Sequence, residues 1–209
     1  MTKKQLKDRW KSEDFINNLS YLHEGKISVE ALNSADLRGI QKLGYAEPLC
    51  TFPTLFSTTL SSIDFSFGDG VIRIKDCDIN HFSFEDFKFN RASFIDKSNI
   101  KNSNFSGSKM ILDCTNVIFE NCDFSQSIFK GGHKEWGFKR CKFKNCTFSG
   151  AYWKNTFLFA CTFLDCELTD FKIENSLIRG FKINQSIDTV SIIFENCEEI
   201  SGLVQLENK

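Results

Sequence analysis

From Phe138 to Ile183 a large hydrophobic residue returns at every fifth position: Phe138, Phe143, Phe148, Trp153, Leu158, Phe163, Leu168, Ile173, Ile178 and Ile183. An α-helix repeats its apolar face every ~3.6 residues and a strand every second residue, so neither accounts for this period. Two places ahead of most of these residues stands a small one, as in Cys141, Cys146, Ala151, Thr156, Cys161, Cys166 and Ser176. The unit reads small, polar, large, polar, polar.

The same unit runs back through Phe129, Phe124 and Phe119, then Met110, Phe105 and Ile100, then Phe94, Phe89, Phe84, Ile79 and Ile74, and more weakly Phe65, Leu60 and Leu55. The phase slips between these blocks. If four units close one turn of a square solenoid, residues about twenty apart stack on one another. The slips preserve such stacking and predict four ladders. One holds Phe65, Phe84, Phe105, Phe124, Phe143, Phe163 and Ile183. A second holds Phe89, Met110, Phe129, Phe148 and Leu168, and a third Ile79, Ile100, Phe119, Phe138, Leu158 and Ile178. The fourth holds Ile74, Phe94, Cys114, Trp153 and Ile173, with a gap near His133.

The triplets Ser103-Asn104-Phe105, Cys122-Asp123-Phe124, Cys146-Thr147-Phe148 and Ser176-Leu177-Ile178 resemble the pentapeptide repeat family, whose consensus is Ala-Asp/Asn-Leu followed by two variable residues. The resemblance covers roughly residues 55 to 187. It implies an all-β solenoid, a right-handed quadrilateral β-helix, over residues 51–190. Phe82, Phe87, Phe171 and Phe181 depart from the consensus by filling the small slot, which predicts local swelling of the coil.

The open ends of such a stack are unpaired strand edges, and both flanks read as covers. Residues 1–50 form an N-terminal helical extension: Leu6, Trp10, Phe15, Ile16, Leu19 and Leu22 are apolar, Ser12 can cap a helix that opens with Glu13 and Asp14, and Gly25 can stop it. A short second helix is expected to start at Ser28. Ala35-Asp36-Leu37-Arg38-Gly39 matches the repeat consensus on its own. In residues 191–209, the run from Val190 to Phe194 supplies a last strand, and the acidic tail behind it is expected to fray.

Composition narrows the chemistry. The 209 residues hold 23 Phe against two Met and two Pro, and the net charge is −1, so no global field draws in nucleic acid or an anionic membrane. The start of the chain is polar, without a signal or membrane-spanning run, which points to the cytoplasm. Six of the nine cysteines (Cys77, Cys122, Cys141, Cys146, Cys161 and Cys166) fall in the small slot and read as reduced packing residues. Cys141 is expected to stack on Cys161 and Cys146 on Cys166, on two different sides of the coil, which does not suit the short Cys pairs of a zinc site. His23, His81 and His133 fall at a helix end, in a polar slot and in a loop, with no nucleophile placed beside them. An interior filled with hydrocarbon leaves no cleft for converging titratable groups. The expectation is a non-enzyme with no cofactor, no metal and no small-molecule substrate.

Function then has to reside on the outer surface. Phe157 and Phe159 flank Leu158 and Leu177 lies one turn beyond, so three apolar side chains are expected to point outward together. Trp136 ends the loop Lys130-Gly131-Gly132-His133-Lys134-Glu135-Trp136, and Tyr152 and Lys154 follow about one turn after it. His133, Lys134, Trp136, Tyr152, Lys154, Phe157, Phe159 and Leu177 are therefore the candidate partner-binding residues. The reading is a protein-protein interaction scaffold whose partner is another protein or a second copy. The alternative that the family resemblance implies is a quinolone-resistance protein, which mimics duplex DNA and protects type II topoisomerases such as gyrase. A mimic requires an acidic track. Residues 71–150 instead carry 13 basic against 9 acidic residues, and residues 151–209 carry 5 against 9. Direct nucleic-acid binding lacks a basic-aromatic motif.

Overall fold

The computed structural model describes residues 1–17, 22–23, 26–27, 29, 32–43, 54–131, 136–184, 192–201 and 204–206. The chain winds as a parallel β-solenoid with four walls, taken here in chain order within one coil. The first wall is an eight-stranded sheet running from Leu55–Phe56 to Glu198–Ser201. The second, also of eight strands, runs from Thr59–Ser61 to Val204–Leu206. The third is a column of single parallel bridges through Asp36, Asp64, Ser83, Asn104, Asp123, Thr147 and Glu167. The fourth is a seven-stranded sheet from Asp69–Gly70 to Ile192–Glu195.

The period of five has a local cause. Each side is a strand of two to four residues, and most corners place one residue in the left-handed region. Asn102, Asn116, Asn121, Asn145, Asn155 and Asn175 sit there at φ between 48° and 54°, a conformation that Asn tolerates better than other side chains. Stacked corners also pair side chain to side chain: Asn102 donates to Asn80, Asn121 to Asn102 and Asn145 to Asn121 at 2.8, 3.1 and 3.3 Å.

Inside, identical rings lie one strand spacing apart. Phe65, Phe84, Phe105, Phe124 and Phe148 stack face to face along the third wall, with successive centroids 4.9, 5.2, 4.8 and 5.1 Å apart. Phe119, Phe143 and Phe163 do the same on the second wall at 5.1 and 4.7 Å. The predicted ladders are therefore correct up to residue 129 and step by one wall after it. Phe143 stacks on Phe119 and not on Phe124, and Phe138 continues the first wall, paired with Cys114. The cause is the segment between Phe129 and Phe138. It inserts extra residues at one corner and does not skip a side, so Asn145 lies 24 residues after its stacking partner Asn121, where Asn121 lies 19 after Asn102. Phe94 is a second correction. Ile95 is buried and pairs with Ile74, leaving Phe94 on the outside of the first wall.

Small-slot residues close the corners. The thiols of Cys77, Cys122, Cys141, Cys146, Cys161 and Cys166 each donate to the carbonyl two residues earlier, and the cysteines of the described residues are unbridged. Cys161 does stack on Cys141 and Cys166 on Cys146, through backbone bonds of 3.0 and 2.9 Å from the residues that follow them. Phe82, Phe87, Phe171 and Phe181 turn fully inward.

The N-terminal segment is shorter in helix than expected. Helix Lys3–Asp8 has a Thr2/Gln5 capping box, a 3-10 turn covers Arg9–Lys11, and Ser12 breaks the run before helix Glu13–Asn17. The Ser12 hydroxyl accepts from Phe15 N–H at 3.4 Å. Leu22–His23 and Lys26–Ile27 form an antiparallel hairpin in place of continued helix. The first helix packs on the end of the coil: Trp10 Nε1 donates to the Arg38 carbonyl at 2.8 Å, and Arg9 forks onto Asp36 at 2.8 and 3.0 Å. Ala35 to Gly39 is a true coil segment, since Asp36 bridges to Asp64 and Leu37 is buried. At the other end the tail does not stop at one strand. Glu198–Ser201 and Val204–Leu206 extend the first and second walls, because paired backbone there satisfies the edge left by the previous coil.

Candidate functional site

Strand Phe157–Phe159 in the first wall buries Leu158 and turns both phenylalanines outward, where they remain half-buried. Their rings stack on each other at 5.8 Å, since residues two apart on a strand share a face. Phe157 is in register with Gly137 below and Leu177 above, and Phe159 with Lys139 and Arg179. The Arg140 guanidinium lies 5.9 Å from the Phe159 ring centroid, a cation–π contact the sequence did not single out. Gly137 is required beneath this strand: a Cβ there would come within 2.2 Å of the Phe157 carbonyl oxygen.

Trp136 joins the site through its backbone. Its carbonyl accepts from Phe157 N–H at 3.0 Å and from the Thr156 hydroxyl at 3.4 Å, and its side chain is half-buried. His133 and Lys134 lie outside the described residues. Tyr152 and Lys154 lie on the neighbouring fourth wall, bound into an ion network. Lys154 pairs with Glu174 at 2.7 Å, the Tyr152 hydroxyl donates to the same carboxylate, and Lys172 bridges Glu174 at 3.6 Å and Glu195 at 2.8 Å. Hydrogen bonds from Lys154 and then Tyr152 hold the Glu174 carboxyl down to about 2. The structure thus separates the predicted residues into an aromatic patch and a charged cluster.

Two more aromatic side chains lie on the outside of the first wall, separated from the patch by Asp113 and Gly137 in one column and by Lys75, Asp96, Thr115 and Lys139 in the other. Phe94 points outward two coils below Gly137, and Phe56 at the lower end is 59% exposed, with the Lys75 ammonium 5.8 Å from its ring. Phe94 escaped the sequence reading because it is one residue out of phase with Ile95, and a run of two large residues does not say which one faces in.

Among solved structures the coil is similar to QnrB1, a plasmid-mediated fluoroquinolone resistance protein, at 13% identity over 75% of this chain and 92% of that one, with a TM-score of 0.34. It is also similar to HetL, a pentapeptide repeat protein involved in heterocyst differentiation regulation in the cyanobacterium Nostoc, at 11% identity over 81% and 90% of the two chains and a TM-score of 0.38. A third neighbour is the pentapeptide repeat protein Rfr23 from the cyanobacterium Cyanothece, at 9% identity over 85% and 97% with a TM-score of 0.17. HetL and Rfr23 are both described as pentapeptide repeat proteins. At such identities the likeness is one of fold. Neither a family model nor a curated protein matches the sequence. Among the described residues no helix is long and apolar enough to cross a membrane.

Burial pushes the Cys114 thiol behind the wall well above its ordinary value, so it is not a nucleophile at neutral pH. The outer face offers stacked rings, a flanking guanidinium and Leu177.

Proposed function

We propose that the protein is a non-catalytic interaction scaffold that presents the first wall, around Phe157, Phe159 and Leu177, to another protein. The observation that carries this reading is the stacked, half-exposed Phe157/Phe159 pair with Arg140 over its edge. Aromatic residues and Arg are enriched at the cores of protein interfaces, and contiguous apolar surface on a solvated sheet favours a partner. The N-terminal helix supports it by lying elsewhere, on the end of the coil at Arg38, which leaves the patch uncovered by that segment. A duplex mimic requires an acidic track, whereas Lys88, Lys109 and Lys130 on the adjacent fourth wall are exposed and have no ion-pair partner among the described residues; the scaffold reading is the better supported of the two.

A second copy is the first partner to test. Sedimentation of wild type beside a Phe157→Ser, Phe159→Ser double variant is expected to show a concentration-dependent dimer in the first and a monomer in the second. Unchanged monomer in both removes self-association. A photo-crosslinking side chain placed at Leu177, compared with one at Lys142 on the second wall, extends the test to other partners: adducts confined to position 177 support the face, and equal labelling overturns it.

A further inference from the structure

The fourth wall carries an imbalance that the repeat pattern does not announce. Lys109 stands in register on Lys88 and Ile128 on Lys109, with Lys130 beside Ile128 on the same outer face. All three lysines are exposed, and among the described residues no carboxylate lies within ion-pair distance of any of them. The nearest in register, Asp69 below Lys88, accepts the backbone N–H of Lys42 at 3.3 Å. Elsewhere on the coil, lysines meet an acid one layer away: Glu120 lies in the layer between Lys101 and Lys144 and pairs with them at 3.3 and 2.7 Å, and Lys139 meets Asp113 at 3.3 Å. Like charges directly opposite on paired strands are unfavourable, and neither Lys88 nor Lys109 has an ion-pair partner among the described residues to offset the pairing.

These lysines ring a concavity of about 270 Å³. Its floor is hydrocarbon, with Met110 buried at the base and Ile111 and Ile128 half-exposed at the sides. It exists because consecutive coils leave this wall differently. Phe89 is followed by Asn90, Arg91 and Ala92, the last at φ 74°. Met110 is followed by Ile111, whose N–H reaches the Phe89 carbonyl only at 3.4 Å. Phe129 is followed by Lys130, Gly131 and the corner insertion.

We propose that this concavity docks an acidic amphipathic helix of a protein partner, a site separate from the first-wall patch. Stacked lysines repeat at the strand spacing of about 4.8 Å. Carboxylates at i and i+3 or i+4 of a helix lie about 5–6 Å apart, whereas same-face residues of an extended peptide repeat at roughly 6.8 Å and drift out of step. One aliphatic side chain on the helix fills the floor over Ile111 and Ile128. That requirement excludes a bare polyanion, which satisfies the lysines and leaves the hydrocarbon uncovered.

The probe is a stapled helical peptide carrying Glu at i and i+4 with Leu between them on the same face, followed by fluorescence anisotropy against the full chain. Saturable binding is expected, weakened more than about tenfold by Lys88→Glu with Lys109→Glu, as for reversal of close charge pairs, and weakened by Ile128→Asp. Lys142→Glu on the second wall leaves it unchanged. Thermal melts check each variant's fold, and Lys88→Gln with Lys109→Gln gives an intermediate loss where reversal disturbs folding. The proposal is overturned if a scrambled peptide of equal composition binds as well. It is also overturned if the lysine variants bind like wild type, or if a short DNA duplex or phosphatidylserine vesicles displace the peptide more effectively than unlabelled peptide does. The Phe157→Ser, Phe159→Ser variant retains peptide binding, so failure here and failure of the first-wall reading are separable.

Discussion

Phe94 and Phe105 illustrate how one residue of phase changes what a side chain does. Phe105 is buried at 1% exposure between Phe84 and Phe124, with ring centroids 5.2 and 4.8 Å away. Truncation removes contacts to both neighbouring layers and leaves a cavity that close-packed strands cannot collapse. Phe105→Ala is expected to cost about 3–5 kcal/mol. Phe94 has a similar sequence setting but faces out, so Phe94→Ala is expected to cost about 1 kcal/mol or less. Denaturant unfolding of the two variants checks the contrast, and equal losses would show that the rings do not divide into inner and outer sets.

At the level of elements, the N-terminal helix is held by a small charged cluster and not by length. Arg9 and Arg38 both bond the Asp36 carboxylate. Burial alone raises that carboxyl, but hydrogen bonds from Arg38 and Arg9 outweigh it, and its pKa lies below the ordinary value. A depressed carboxyl contributes stability that is complete above its unfolded pKa, near 4, and is lost as pH falls through the folded value. Melting curves of wild type and Asp36→Asn from pH 7 down to 2 are expected to differ most at neutral pH and to converge in acid. A constant gap across that range would remove the linkage. Much of this element was legible in advance: Leu6, Trp10 and the Ser12 cap read correctly. The hairpin at Leu22–Ile27 did not, because its apolar residues fit a helical period as well as a short strand and only strand pairing separates the two.

The whole molecule behaves as a stack in which each coil contacts only its neighbours, so stability is close to a sum over layers. The last coil covers the edge presented by Phe171–Glu174, Leu177–Arg179 and Lys182–Asn184 through strands Ile192–Glu195, Glu198–Ser201 and Val204–Leu206. Removing residues 191–209 is expected to lower the melting temperature and, by baring parallel edges over Ile173, Ile178 and Ile183, to cause concentration-dependent association. Sedimentation and circular dichroism read both effects against wild type; a melting temperature and an association state identical to those of wild type would mean the last coil contributes nothing as a cover.

By itself the sequence determined the period, the four walls, the slots for Cys and for the ladder phenylalanines other than Phe94, and the outward turn of Phe157 and Phe159, because alternation within a strand is fixed once one inward residue is known. It did not determine which wall follows the insertion after Phe129, since a skipped side and an added loop shift the phase alike; only backbone pairing of Phe138 with Cys114 distinguishes them. Nor did it reveal the lysine-ringed concavity. Lys88, Lys109 and Lys130 are ordinary polar positions in three separate repeats, and their gathering round one concavity without an ion-pair partner among the described residues arises only when the coils are stacked.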